Sequence, residues 1–271
     1  MFDRFIPTPS HSSIGLGVIT IHYYALCILL GIVVAIAVGR IRWNKSGGIV
    51  TELYDLAIYV IPAGIVGGRI YHVITTPELY FGTNGRFSNA FKIWDGGMGI
   101  WGAVAVGALV TYFYFKSKAR SITFAQAIDA LAPGLLLAQA IGRFGNWFNG
   151  ELFGRPSTLP WALQIPPSGR PIGFEKFSTF QPTFLYESLW CVICALFIFF
   201  LPSVRRLKPG NTFLLYIVLY CIGRAWIEAL RIDQAHHIFG LRLNIWVSLI
   251  CGSISFFFLA KRQKVTTKPF L

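Results

Sequence analysis

The chain has 271 residues, of which 55% are hydrophobic and only 13% charged, about half of the ~25% typical of soluble domains. That balance excludes disorder, collagen and a disulfide-stapled secreted scaffold, and it calls for lipid as solvent; the length suits six to eight crossings of about 20 residues each. Net charge is +13, but the basic residues stand between apolar runs rather than in one stripe, which argues against nucleic-acid binding.

Seven apolar runs are long enough to cross a bilayer, at about 18–39, 54–74, 94–115, 122–141, 182–201, 211–230 and 242–260. Backbone amides find no partner in lipid, so each crossing is predicted to be a helix, and no period-two alternation suggests a barrel. The first run is expected to stay in place as a span: Met1 to Arg4 supply one acid and one base, and no small-x-small cleavage site follows. The first, third and fifth connections and the C-terminal tail hold 13 Lys and Arg, among them Arg40, Arg42, Lys45, Lys116, Lys118, Arg120, Arg205, Arg206 and Lys261, whereas the opposite connections hold 8 in about twice the length. The positive-inside rule then puts the N-terminus outside and the tail inside.

The one long connection, 142–181, is rich in Gly and Pro yet carries Trp147, Phe148, Trp161 and Phe174, too many aromatics for a loose linker. It reads as a small extracytoplasmic cap. The expected architecture is a single all-α membrane domain over 1–271 with no internal repeat. All five cysteines lie in apolar runs; Cys191 and Cys194 spell C-x-x-C, but inside WCVICALFIFF they read as packing residues of a helix.

With that direction assigned, the polar residues of the spans gather in one outer layer. His22 and Tyr24 belong to the first span, Arg69 and His72 to the second and Asp95 to the start of the third; Arg143 and Glu151 follow the fourth, Glu187 opens the fifth, and Arg224, Glu228 and Arg231 end the sixth. A charge in the bilayer costs ~2.5–3.5 kcal/mol on insertion scales, so such groups face a wet cavity or a partner and commonly serve function. Snorkelling to water explains Arg69 or Arg231 equally well. It fails for Glu187 and Glu228, which are short. Tyr220, Arg224, Glu228 and Arg231 stand within about 80° of one another on a helix. Such a stripe is either an internal Arg224–Glu228 pair that lets the helix insert or a guanidinium receptor for a phosphate. Asp55 and Asp129 fall toward the inner side and read as helix-start or packing groups.

The segment GRFGNWFNGELFGR, residues 142–155, is the densest in chemistry. Its glycines allow close backbone approach, Asn146 and Asn149 offer amide donors, and Arg143 and Arg155 offer forks for an anionic oxygen. As a loop after the fourth span it would cradle a lipid phosphate; as bare spacing it is equally a glycine-capped helix end.

IHYYAL at 21–26, GGRIYHV at 67–73, WDGGMG at 94–99, GRFGNWFNGELFG at 142–154, QPTFLYES at 181–188 and YCIGRAWIEALRID at 220–233 together resemble the bacterial prolipoprotein diacylglyceryl transferases, in family order over most of the chain. The resemblance implies a seven-helix enzyme of the bacterial inner membrane. Such an enzyme moves the diacylglyceryl group of phosphatidylglycerol to the lipobox cysteine of a preprolipoprotein, with its active site on the extracytoplasmic side. It implies Arg143 and Arg224 as the phosphatidylglycerol-binding arginines, Tyr24 as the essential tyrosine, Asn146 and Gly154 as the essential asparagine and glycine, and Glu151, Glu187 and Glu228 as supporting carboxylates; Asn149 joins them as a substrate-binding amide. Fixed guanidinium groups suit a leaving phosphate that gains charge. They also suit an acceptor thiol that must ionise.

Two positions depart from the family pattern. Trp101, in GIWGAV, stands where an H-G-G-L histidine is common, and Gln181 stands in QPTFLYE where another histidine is common. Tryptophan cannot accept a proton. The base is then His22, His72, Glu151 or Tyr24, or thiolate formation rests on the arginine field alone. No cofactor or metal is expected: His236 and His237 are adjacent rather than spaced for ligation on one helical face. A transporter would want matching halves with midplane polar groups, and an intramembrane serine protease a glycine-flanked serine; neither pattern occurs.

Overall fold

The computed structural model describes residues 5–16, 19–83, 85–93, 96–201 and 204–264. Among the described residues, seven helices are long and apolar enough to cross a membrane: α1 (Tyr23–Lys45), α2 (Val50–Thr75), α4 (Ile100–Ser117), α5 (Phe124–Asn149), α6 (Thr183–Phe200), α7 (Asn211–Leu230) and α8 (Leu243–Lys264). A short helix α3 (Glu78–Phe81) lies between α2 and α4. The chain is thus a mostly helical, multi-pass membrane protein. Its contacts divide it into two compact units, one from 1–39 with 128–271 and one from 40–127.

In the first unit, α6 packs on α7 and α7 on α8. Leu136 and Ala140 of α5 share a core with Cys191, Cys194, Ala195 and Ile198 of α6, against which Tyr216 and Leu219 of α7 pack. Cys191 and Cys194 are therefore packing residues of the helix core. Pro133 sits inside α5 without ending it. Asp129 on the same helix accepts the Gly210 and Phe213 amides at 2.7 Å each, so it satisfies the open amides at the start of α7, the helix-start role its position suggests.

Segment 150–182 folds around a core that it shares with Phe184 of α6 and Trp147 of α5. Strand β1 (Ile6–Pro7) runs parallel to β4 (Leu163–Gln164), which pairs antiparallel with β5 (Thr179–Phe180). Phe153, Leu163, Ile165, Phe180 and Phe184 are buried together, with Trp147 and Phe174 packed against them. Of the four aromatics that argue against a loose linker, Trp147 and Phe174 join this packing, Phe148 lies against Tyr23 and Trp147, and Trp161 is half exposed.

Several span boundaries differ from expectation, most of all in the first, third and fourth spans. The first span does not begin at 18: β2 (Ser13–Leu16) and β3 (Ile19–His22) form an antiparallel pair, and helix starts at Tyr23. The alternation Ile-Thr-Ile-His is a strand pattern hidden beside a long apolar run. The fourth span does not stop at 141, because α5 continues through Gly142 and Gly145 to Asn149. A last hairpin, β6 (His237–Ile238) with β7 (Leu241–Arg242), joins α7 to α8.

In the second unit α2 packs on α4. Trp43 is fully buried, its indole N–H donating to Ile49 O at 3.1 Å. Glu52 accepts the Ser121 amide at 3.1 Å and the Ser121 hydroxyl at 2.5 Å. Arg69 does not snorkel. It is buried and donates to the carbonyls of Ala90 at 2.8 Å, Gly97 at 2.9 Å, Lys92 at 3.1 Å, and of Gly96 and Asn89, so it organises the segment between α3 and α4. Asp95, expected at the start of the third span, lies outside the described residues, and the helix there begins at Ile100.

Candidate active site

The residues of GRFGNWFNGELFG do their work from a helix rather than a loop. Because α5 runs on to Asn149, Arg143 and Asn146 stand one turn apart on one face, and the Arg143 guanidinium donates to Asn146 Oδ1 at 3.3 Å. The Asn146 amide donates to Glu151 Oε1 at 2.9 Å, and the Asn149 amide donates to the same oxygen at 3.0 Å. Glu151 is thus anchored by two asparagines just past the helix end. Leu152 follows in the left-handed region at φ 59°, and its carbonyl accepts the Thr183 hydroxyl, which ties this turn to the start of α6.

Glu187, one turn into α6, is the hinge of the cluster. Its side chain is 4% exposed and takes Arg143 Nη2 on one oxygen at 2.8 Å and Arg224 Nη1 on the other at 3.2 Å. The Tyr220 hydroxyl donates to it at 3.4 Å. Helix α7 then continues the chain of charges: Arg224 Nη2 meets Glu228 Oε2 at 2.6 Å, as the i, i+4 spacing requires. Glu228 is fully buried, and also receives Arg231 at 3.3 Å, Arg242 Nε at 2.8 Å and the Asn244 amide at 3.3 Å. Arg231 and Arg242 both reach Asp233, at 2.7 and 2.9 Å.

Outside the spans, burial alone would raise the Asp233 carboxyl, but hydrogen bonds and charge from Arg231 and Arg242 outweigh it and hold it below the ordinary value of 3.8. Burial likewise works against the charge on Arg242, while its bonds to Glu228 and Asp233 hold the proton more firmly.

Glycine lets the backbone close around this network at two points. A Cβ on Gly145 would collide with the ring of Tyr24, so the tyrosine lies directly on α5 within two residues of Arg143. A Cβ on Gly154 would stand 3.0 Å from Gln181 Cβ and 3.1 Å from the Leu230 carbonyl oxygen; there the Gly154 amide bonds Gln181 O at 2.9 Å and the Arg155 amide bonds Leu230 O at 3.2 Å. Segment 151–155 is thereby laid along the end of α7. A small cavity opens between Arg143, Asn146, Thr183, Glu187 and Arg231.

Sequence reasoning therefore names most of this cluster: Arg143, Asn146, Asn149, Glu151, Glu187, Arg224 and Glu228 form one bonded network, Tyr24 packs on its helix, and Gly154 closes its edge. Arg231 is ion-paired rather than snorkelling. Arg242, Asp233 and Asn244 are missed as site residues, since Arg242 holds the first position of the predicted last span and sits in no motif, and the sequence places it nine residues from the Asp233 that it meets in the fold. His22 is exposed. His72 belongs to the second unit, where its Nδ1 lies 2.8 Å from the Tyr80 hydroxyl in a cavity of about 330 Å³ that also contains Arg69. Trp101 is half exposed on the first turn of α4.

Chemically, four guanidinium groups meet three carboxylates in direct contact, and Glu151, held through Asn146 and Asn149, brings a fourth carboxylate to the same network. Arginine stays protonated at any working pH, and the forks of Arg143 and Arg224 keep donors for an anionic oxygen. A low-dielectric surrounding makes that charge count for more than it would in water.

A sequence profile described as prolipoprotein diacylglyceryl transferase matches residues 11–261. A phosphatidylglycerol–prolipoprotein diacylglyceryl transferase of Bifidobacterium adolescentis is 46% identical over 97% of this chain and 82% of its own length. Proteins of the same name from Streptomyces griseus and Cutibacterium acnes are 46% and 49% identical, over 96% and 90% of this chain and 78% and 82% of theirs. By the extent of the profile match and the identity to these full-length relatives, the chain belongs to the prolipoprotein diacylglyceryl transferase family.

Proposed function

We propose that the chain transfers the diacylglyceryl group of phosphatidylglycerol to the lipobox cysteine thiol of a preprolipoprotein, the first step of lipoprotein maturation. The sulfur forms a thioether to the glycerol carbon, the carbon–oxygen bond to phosphate breaks, the thiol proton is lost, and glycerol 1-phosphate leaves. The single observation that carries the reading is the buried Glu187 carboxylate shared by Arg143 and Arg224, which aims two guanidinium groups from different helices at one place.

A phosphodiester carries one negative charge and its monoester product approaches two. Prepositioned Arg143 and Arg224 therefore stabilise the departing phosphate more than the bound lipid, which is what lowers a barrier. Glu187 and Glu228 keep both forks in place without reorganisation. Asn146 and Asn149 fix Glu151, which together with Tyr24 faces the same end of α5 and is available to the headgroup glycerol or the incoming thiol. Cationic surroundings favour the thiolate, so the acceptor ionises in the field of the arginines, and Trp101 costs the reaction nothing. Segment 150–182 acts as an extracytoplasmic cap, the bacterial inner membrane is the site of action, and the loop charges put the reaction on its outer side.

Purified protein in detergent, given phosphatidylglycerol and a lipobox peptide, is expected to release glycerol phosphate only when both substrates are present. Release without peptide, or none with both, contradicts the assignment.

A further inference from the structure

Arg242 belongs to no sequence motif, yet it is more completely committed than any other arginine of the cluster. It lies on β7, whose hairpin is fixed to the start of α8 by the Leu243 amide on His236 O at 2.9 Å and the Trp246 indole on Ile238 O at 2.8 Å. Its guanidinium spends every edge on neighbours: Nε on Glu228 Oε1 at 2.8 Å, Nη2 on Asp233 Oδ2 at 2.9 Å and Nη1 on Asp233 O at 2.7 Å. No fork is left over for a substrate.

Glu228 is the group that feels this. A carboxylate has about four lone-pair sites, and here all are used: Arg242 and Asn244 on Oε1, Arg224 and Arg231 on Oε2. A buried carboxylate that loses one cation draws harder on those that remain. Without Arg242, Glu228 would take its compensation from Arg224, and the network would hold one positive charge fewer. An arriving phosphate would then compete with Glu228 for Arg224 in a less cationic site.

We infer that Arg242 is a positioning residue that, by sharing Glu228 from the hairpin side, limits the hold of Glu228 on Arg224 and so leaves the remaining donors of Arg224 to the anionic headgroup of the lipid donor. The inference rests on the proposed transferase reading and assigns Arg242 no contact with substrate. It makes Arg242 a determinant of donor affinity while leaving the acceptor's affinity untouched.

The test is steady-state kinetics of glycerol phosphate release by full-length protein, with phosphatidylglycerol and lipobox peptide varied separately. In Arg242→Ala the KM for phosphatidylglycerol is expected to rise about tenfold, the scale set by removing one charge several ångströms away in a medium of intermediate dielectric, with the KM for peptide unchanged. Arg242→Lys, which restores the charge, should bring it back to within about threefold, whereas Arg242→Gln should not. In a Glu228→Gln background, where residue 228 no longer competes as a carboxylate for Arg224, adding Arg242→Ala should cost less than about threefold. If Arg242→Ala does not purify folded, the Lys and Gln variants carry the same comparison. A fall in kcat with both KM values unchanged, or a rise equal in the Glu228→Gln background, overturns the inference. An inactive wild type would instead overturn the transferase reading beneath it.

Discussion

At the scale of single residues, the site is a problem in burying charge. Breaking a buried ion pair by removing one partner costs about 3–5 kcal/mol, because the other charge is left without compensation. Glu187 and Glu228 escape that cost only because three or four donors surround each. Asp233, outside the spans, lends itself to a pH test. Its carboxyl is held below 3.8 by Arg231 and Arg242, so its contribution is complete above that value and fades as pH falls through the depressed folded value. Asp233→Asn is therefore expected to lower stability in detergent by about 1–2 kcal/mol at neutral pH, with the gap to wild type closing in strong acid; thermal unfolding at several pH values reads both. A second prediction concerns the departure from the family pattern. Trp101 is half exposed and cannot serve as a base, so Trp101→His should leave transfer largely intact. Total chemical loss in Trp101→Ala with normal lipid binding would contradict that.

At the scale of elements, Gly154 shows how closely the site depends on backbone approach. A methyl there meets Gln181 Cβ at 3.0 Å and the Leu230 carbonyl at 3.1 Å, neither of which is the free end of a long chain. Gly154→Ala should push segment 151–155 off the end of α7 at a cost of about 1–3 kcal/mol and reduce transfer more than binding of peptide; lipid-dependent release measured beside thermal stability separates the two effects. The helices themselves were largely legible. Tyr220, Arg224 and Glu228 fall on one face because helix period alone dictates it, and α7 occupies the very run expected. The end of α5 was not legible, since Gly142, Gly145 and Gly150 read as terminators. Helix persists there because Tyr24 packs into the space Gly145 leaves, and because backbone near lipid is best satisfied internally. Arg69 was hidden for a different reason: its partners are carbonyls, which a sequence does not advertise.

At the scale of the whole molecule, what the sequence conveys well is solvent: apolar run length points to the seven helices long enough to cross. The bias of Lys and Arg adds a proposal for which face is cytoplasmic. What the sequence conveys poorly is long-range pairing, such as β7 returning Arg242 to α7. The topology has a direct check. Ile172 is 96% exposed in the segment between α5 and α6, and Lys261 lies in the last turn of α8. In a cysteine-free background, Ile172→Cys should react with a membrane-impermeant maleimide in intact cells and Lys261→Cys only after permeabilisation; the reverse order would invert the protein.

The central claim is that Arg143 and Arg224, held on Glu187, take up charge on the departing phosphate. It is tested most directly by single-turnover release of glycerol phosphate from Arg143→Ala at saturating phosphatidylglycerol and peptide, with folding verified. The rate is predicted to fall by about a thousandfold. A rate within about tenfold of wild type would contradict the account.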